Sequence, residues 1–334
     1  MNPILAQSVR GEVVDNIYRG AFAVFSKGEI VRKGGNIDRP YFMRSSEKPF
    51  QAAVIVESGA ADSFGLIDEE IAVIAGSHSG EDFHVAAVRS MLKKGGLDEA
   101  HLLCGVHPPL HEPSRDALIR NGKPFSAVHN NCSGKHAGML LLAKHFGAPI
   151  ENYLTPGHPV QQRIREHISL LAGCDAGRIG IGVDGCGVPT YAFPISTMAK
   201  AYANLSSPDR LPEKFAEACR RVISCVQRYP LPYAGHGRYC TEIVETTGAR
   251  LIPKVGAEAV YAVGVVDAHT GIAVKIESGI DLGYRGFLVT LMRNMDIITE
   301  AEAQRLAKHV RQPLLNRRGE ETGYIEAVIP EEQG

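Results

Sequence analysis

The sequence predicts an α+β fold on three observations. Strand-like patterns occupy both ends of the chain, helical periodicity fills the middle, and the regular strand–helix alternation of a doubly wound parallel sheet is missing. The chain has 334 residues, 44% of them hydrophobic and 22% charged. That is the mix of a globular protein long enough to bury a large core. No Pro/Gly/Ser-rich linker interrupts it, so a single unit over 1–334 is expected. Its helical part, roughly 50–250, is inserted between N- and C-terminal sheet strands.

The elements follow in order. Val13 to Tyr18 reads as strand, and after Gly20 the apolar run Ala21 to Phe25 continues it. Ser26-Lys27-Gly28-Glu29 is a turn and Ile30-Val31 resumes the pattern, which makes a hairpin. Residues 36–44 form an irregular approach. From Ser46 to Ser58 the pattern turns helical, through Pro49, Phe50, Ala53, Val54 and Val56. Ile67 to Ala75 has an apolar face, and Gly76 to Glu81 follows as a loop or helix start. Phe83 to Lys94 is an amphipathic helix closed by Gly95-Gly96. Residues 104–135, rich in Pro, His, Asn and Gly, read as a long irregular segment, of the kind that is usually functional. Helices follow over 135–146, 159–172, 194–205 and 213–228. Gly180 to Thr190 is a short strand and a glycine-rich turn. Residues 250–252, 259–266 and 272–277 read as strands, with Ala268 to Gly271 as a hairpin turn. Helices over 283–295 and 300–309 come last.

Composition excludes several function classes. Lys plus Arg is 36 and Asp plus Glu is 37, a net charge of −1, so there is no electrostatic footprint for nucleic acid or an anionic membrane. No stretch approaches the ~18 apolar residues of a membrane span. Met1 to Ser8 lacks the basic start of a secretory signal, which predicts a cytoplasmic protein with reduced thiols. Seven cysteines, an odd number, rule out a fully paired disulfide framework. Cys104, Cys174, Cys219 and Cys225 are expected as packing residues.

Four constellations could carry chemistry. Ser45-Ser46-Glu47-Lys48 contains S-x-x-K, which puts Ser45 and Lys48 on one helical face, where a desolvated lysine can serve as the serine's general base. The same spacing also suits a plain helix N-cap with a solvated lysine. Lys254-Val255-Gly256 is a K-x-G about two hundred residues later. Gly76-Ser77-His78-Ser79-Gly80-Glu81 is a polar turn in which one serine could bridge the two lysines. Asn130 to Met139 holds Cys132, Lys135 and His136 at a loop-to-helix junction, and Asp184-Gly185-Cys186-Gly187 adds a cysteine and an aspartate in a glycine turn. Two distant cysteines with a nitrogen ligand could hold zinc; a Cys132–His136 hydrolase pair is the rival reading.

Taken together, Arg44-Ser45-Ser46-Glu47-Lys48-Pro49, Ser77 to Glu81, Asn131 to Met139, Asp184 to Pro189 and Lys254 to Glu258 resemble the rhizobial-type (class 3, asparaginase II) L-asparaginase family, from the opening hairpin to about residue 295. The resemblance implies a serine β-lactamase/glutaminase-like fold, an antiparallel sheet packed with helices, and a homodimer. It implies hydrolysis of L-asparagine to L-aspartate and ammonia. Two Ser-Lys pairs are implied, Ser45 with Lys48 and Ser77 with Lys254. A zinc site is implied on Cys132, Lys135 and Cys186, with Arg44, His136 and Asp184 at the substrate. Gly235-His236-Gly237-Arg238, Tyr239-Cys240-Thr241 and Ala259 depart from the family's usual residues. A glutaminase or other small-amide hydrolase, and a non-catalytic zinc-binding ligand sensor, are the alternatives. In the expected mechanism Ser45 attacks the amide with Lys48 as base, and Ser77 is the competing nucleophile. Lys48 must then be neutral, against an ordinary pKa of about 10.4; burial and the charge of Lys254 would both lower it.

Overall fold

The structure is a computed structural model and describes residues 1–330. The chain opens with strands Ile4–Arg10 (β1), Val13–Ser26 (β2), Glu29–Gly34 (β3) and Pro40–Phe42 (β4). Helices Lys48–Glu57 (α1), Ala60–Ser63 (α2), Asp68–Ala75 (α3), Asp82–Lys94 (α4), Glu112–Arg120 (α5), Ser133–His145 (α6) and Pro159–Ala172 (α7) follow. The hairpin Gly180–Val183 (β5) and Pro189–Pro194 (β6) leads to helices Ile195–Ser206 (α8), Glu213–Arg228 (α9), Pro230–Tyr233 (α10) and Tyr239–Thr246 (α11). Strands Leu251–Gly256 (β7), Val260–Val265 (β8) and Thr270–Ile276 (β9) come next, then helices Leu282–Asn294 (α12), Glu300–Arg305 (α13) and Ala307–Val310 (α14). Arg311–Leu315 (β10) and Glu321–Ala327 (β11) complete the described strands.

Eight strands form one antiparallel sheet in the order β10-β11-β1-β2-β9-β8-β7, with β3 paired to β2. The early strands thus lie beside the late ones, as the α+β reading expected. Strand β2 changes character along its length. Val13 to Ile17 is exposed, whereas Ala21 to Phe25 is buried, because there β3 and β9 pair with it while α8 and α12 pack close by. A strand covered on both faces reads as a continuous apolar run rather than an alternation. Phe22 meets Phe287 of α12 edge-on, with centroids 4.8 Å apart. A second, three-stranded sheet, β4-β6-β5, stands apart from the first.

Helix α1 is the centre of the helical part. All ten of its residues are buried, and it packs against α3, α6, α7 and α9. A helix enclosed on every side shows little amphipathic contrast, and its first residue, Lys48, is carried into the interior.

The structure adds elements that the sequence pattern did not reveal. The β10–β11 hairpin is half-exposed and mixed in polarity, so pairing rather than burial selects it, and β1 buries Leu5, Ala6, Ser8 and Val9 in a pattern that does not alternate. The segment 104–135 is not wholly irregular: it contains α5, which starts with a proline in its first turn and buries no residue, so it leaves no apolar stripe to read. The expected helix over 300–309 breaks at Leu306 into α13 and α14.

Replacing Phe22 with Ala should destabilise the protein by about 3–5 kcal/mol, the usual cost of emptying a buried phenylalanine site. Urea unfolding of the two proteins measures this.

Candidate active site

The small sheet and the end of the large one bring the site together. Strand β4 runs into a 3-10 turn, Arg44–Glu47, that leads straight into α1. Strand β7 packs on this turn. A Cβ at Gly256 would lie 2.6 Å from the Met43 carbonyl oxygen, so the glycine of K-x-G is required by close backbone approach. Arg44 has φ +53°, a left-handed conformation that costs an L-residue roughly 1–2 kcal/mol. Its partners hold it there: its amide donates to Thr190 Oγ1 (3.1 Å) and its Nε to Asp184 Oδ1 (2.6 Å).

At the core of the site is one hydroxyl between two amines. Lys48 Nζ donates to Ser77 Oγ (2.9 Å) and to the Asn131 carbonyl (3.0 Å). Lys254 Nζ donates to Ser77 Oγ (2.8 Å) and to the Val255 carbonyl (2.9 Å). Lys48, Ser77 and Lys254 are 0%, 4% and 1% exposed. Burial pushes both lysines down, Lys254 well below the ordinary value, with the neighbouring Lys48 adding to the effect. A neutral amine at hydrogen-bond distance can take the serine's proton.

Ser45 lies differently from the expected pairing with Lys48. It is half-buried, and its backbone carbonyl accepts from the Lys48 amide within the turn. The Lys48 side chain runs inward past it to Ser77.

Beyond Lys48 lies a second cluster. The β5–β6 hairpin is closed by hydrogen bonds from Asp184 N to the Val188 carbonyl and from Gly187 N to the Asp184 carbonyl, each 2.9 Å. Its tip carries Asp184 and Cys186 to the start of α6, where Cys132 is the N-cap and Lys135 lies in the first turn. Ligand atoms of Cys132, Asp184 and Cys186 lie within 4.8 Å of one another, all three residues buried. Lys135 Nζ is 3.2 Å from Cys186 Sγ and 4.0 Å from Asp184 Oδ2. A hydrogen bond from Cys186, reinforced by Lys48 and Lys135, holds the Cys132 thiol well below the usual range. The same hydrogen bond and burial push Cys186 up. Burial would lower Lys135, but Cys186, Cys132 and Asp184 outweigh it and push it up. Burial opposes ionisation of Asp184 too, yet Lys135 and Arg44 bring its carboxyl down to about 2. Two sulfurs, a carboxylate and an amine form a donor set that fits a tetrahedral metal ion.

His136 gives no support to a Cys132–His136 pair. Its Nδ1 bonds to Tyr153 OH (2.6 Å), and its Nε2 is buried with no partner among the described residues. Cys240 is buried with Sγ 3.3 Å from Tyr261 OH. Cys104, Cys219 and Cys225 are buried as expected, but Cys174 is exposed, because it follows the left-handed Gly173 that ends α7. Sequence reasoning missed Glu47. It is fully buried, accepts from Gln51 Nε2 (2.9 Å) and Tyr191 N (3.2 Å), and burial pushes its carboxyl up to about 8. Its one signal was an acid inside S-x-x-K, directly ahead of a helix with the apolar run Ala52 to Val56.

A family model described as L-asparaginase II matches residues 6–327. No curated protein sequence matches the chain significantly. Among solved structures, Mglu in its tris and glutamate form is 16% identical with a TM-score of 0.49, over 84% of this chain and 59% of that one. Native Mglu is 16% identical with a TM-score of 0.47, over 83% and 65%. The chain therefore spans under two thirds of those two Mglu chains. A putative beta-lactamase from Bacteroides dorei DSM 17855 is 14% identical with a TM-score of 0.40, over 77% and 85%.

The lowered pKa of Lys254 has a stability consequence. Its native pKa lies below the ~10.4 of the unfolded chain, so between the two values the unfolded state binds more protons and stability rises with pH. Each unit of depression is worth about 1.4 kcal/mol. Unfolding free energies at pH 7 and pH 10 should rise more for the parent protein than for Lys254→Met. Parallel pH profiles would show that Lys254 titrates alike in both states.

Proposed function

The chain belongs to the L-asparaginase II family, an amidohydrolase family, and from that premise we propose that it hydrolyses L-asparagine to L-aspartate and ammonia with Ser77 as nucleophile. The observation that carries this reading is the Ser77 hydroxyl held between Lys48 and Lys254 at 2.9 and 2.8 Å, all three buried.

A carboxamide is a poor electrophile and needs an activated nucleophile. One neutral lysine takes the Ser77 proton as Oγ bonds to the amide carbon. The carbon–nitrogen bond breaks as that proton passes to the departing nitrogen, and ammonia leaves. Water then attacks the ester, giving one proton to the free amine; Ser77 Oγ leaves and is reprotonated. Having two amines on one hydroxyl lets one accept while the other orients. Ser45, the more exposed serine and three residues from Lys48, is the rival nucleophile.

Cys132, Cys186 and Lys135, with Asp184 beside them, would hold zinc, which when bound supplies a Lewis acid that orients the substrate. Lys135 can ligate only when deprotonated, so affinity should fall with falling pH. Arg44 and His136 flank this side. A homodimer and a cytoplasmic location complete the proposal.

Two measurements test it. Purified protein should release ammonia from L-asparagine faster than from L-glutamine, and Ser77→Ala should lose about 10³-fold or more in kcat. Mass spectrometry of a quenched acyl-enzyme should place the label on Ser77. A label on Ser45 would reverse the assignment, and a label on neither would remove the covalent scheme. Elemental analysis should find about one zinc per chain, lost in a Cys132→Ser, Cys186→Ser double variant. Retention of the metal there would place it elsewhere.

A further inference from the structure

Ser77 and Lys254 also face away from the cysteine cluster. A cavity of about 120 Å³ lies against them, and none of Cys132, Lys135, Asp184 and Cys186 lines it. One water-sized group needs ~10–15 Å³ of such space, so there is room for roughly ten non-hydrogen atoms, the size of a small amino acid. Tyr239, Tyr261 and Tyr284, their ring centroids 5.0 to 6.3 Å apart, make a rigid aromatic wall.

The charges in this wall are Arg238, Arg285 and Asp281. They are not matched to one another by an ion pair among the described residues. Arg285 Nε is buried without a hydrogen-bond partner. By contrast, Arg44 and Asp184 on the cluster side already pair with each other at 2.6 Å. Two guanidiniums and one carboxylate around a cavity are the complement of an α-amino acid. Guanidinium binds carboxylate through two parallel hydrogen bonds, and a carboxylate accepts from an ammonium.

Arg238 is also tied to the serine it would serve. Glu81, four residues after Ser77, accepts from Ser79 Oγ (2.7 Å) and His236 N (2.9 Å) through Oε1, and its Oε2 is 2.6 Å from His236 Nδ1. Gly235, at φ +119°, lies so close that a Cβ there would stand 2.0 Å from Ser79 Oγ. The Ser77–Glu81 segment and the turn carrying Arg238 are therefore locked in register.

We propose that this cavity is the subsite for the α-groups of the substrate: Arg238 and Arg285 take the α-carboxylate and Asp281 the α-ammonium of an amino-acid amide whose side-chain carbonyl reaches Ser77. The inference rests on the hydrolytic reading of Ser77, so its test has an arm that needs no turnover.

Steady-state kinetics of the full chain would compare L-asparagine with succinamate, which lacks the α-amino group, and with 3-aminopropanamide, which lacks the α-carboxylate. Arg238→Gln should raise KM for L-asparagine and succinamate at least tenfold and leave 3-aminopropanamide within twofold. Asp281→Asn should raise KM for L-asparagine and 3-aminopropanamide and leave succinamate within twofold. Calorimetry with L-aspartate should show a matching loss of affinity in both variants. Equal losses toward all three amides, or KM and Kd within twofold of the parent, would overturn the subsite. A parent protein that binds L-aspartate, loses it in both variants and turns over no amide would uphold the subsite and overturn the hydrolytic reading.

Discussion

Two lysine amines buried against one serine hydroxyl constrain everything near them. Buried ammonium groups are costly, so the fold must either pair them or let them lose their protons. Around Ser77 the partners are a hydroxyl and the carbonyls of Asn131 and Val255, all uncharged. This surrounding leaves burial as the leading effect on both lysines. The arrangement needs rigid neighbours, and it has them: Lys48 opens a helix with no exposed residue, and Lys254 lies in β7, pinned against the Arg44–Glu47 turn by the missing side chain of Gly256.

Lys135 shows the opposite outcome for the same residue type. It is as buried as Lys48, yet Cys186, Cys132 and Asp184 surround it and favour its charge. Neighbours, rather than burial depth, decide whether a buried lysine is pushed down or up here. Lys48 stands between the two environments, in contact with Ser77 and within the field of Cys132. A change in charge at the cysteine cluster is therefore felt at the serine through Lys48, without any movement of the backbone.

Much of this was legible in the sequence, for identifiable reasons. The core strands β2, β8 and β9 are continuous apolar runs, and α4, α7 and α9 have clear stripes, so burial wrote their pattern. The edge strand β10, its partner β11 and the exposed α5 bury little and left no pattern, and in β1 the buried residues Leu5, Ala6, Ser8 and Val9 do not alternate. In the site, S-x-x-K, K-x-G and the Ser77 turn were each visible as local motifs. Their mutual geometry was not, since it depends on which way Lys48 points from the first turn of α1. The charged wall of Arg238, Asp281 and Arg285 was hidden for a related reason. Its members come from two segments over forty residues apart, and only the packing of α11 and α12 beside β7 and β8 gathers them.

Ser77 belongs to neither sheet and to no helix: it lies in the loop between α3 and α4. That location lets it meet groups from both halves of the fold, with Lys48 reaching it from the helical part and Lys254 from the end of the large sheet. A serine on a helix would present its hydroxyl to one side only. The loop is nevertheless not free to move, because Glu81, held by Ser79, binds His236 of the 235–238 turn and His78 Nε2 is 2.9 Å from Ser133 Oγ on α6. The strain at Arg44 and the close contacts at Gly256 and Gly235 all fall within this same junction. Backbone strain gathered where two parts of a fold meet one polar group is what preorganisation requires. The geometry of the Ser77 hydroxyl is set by the fold itself.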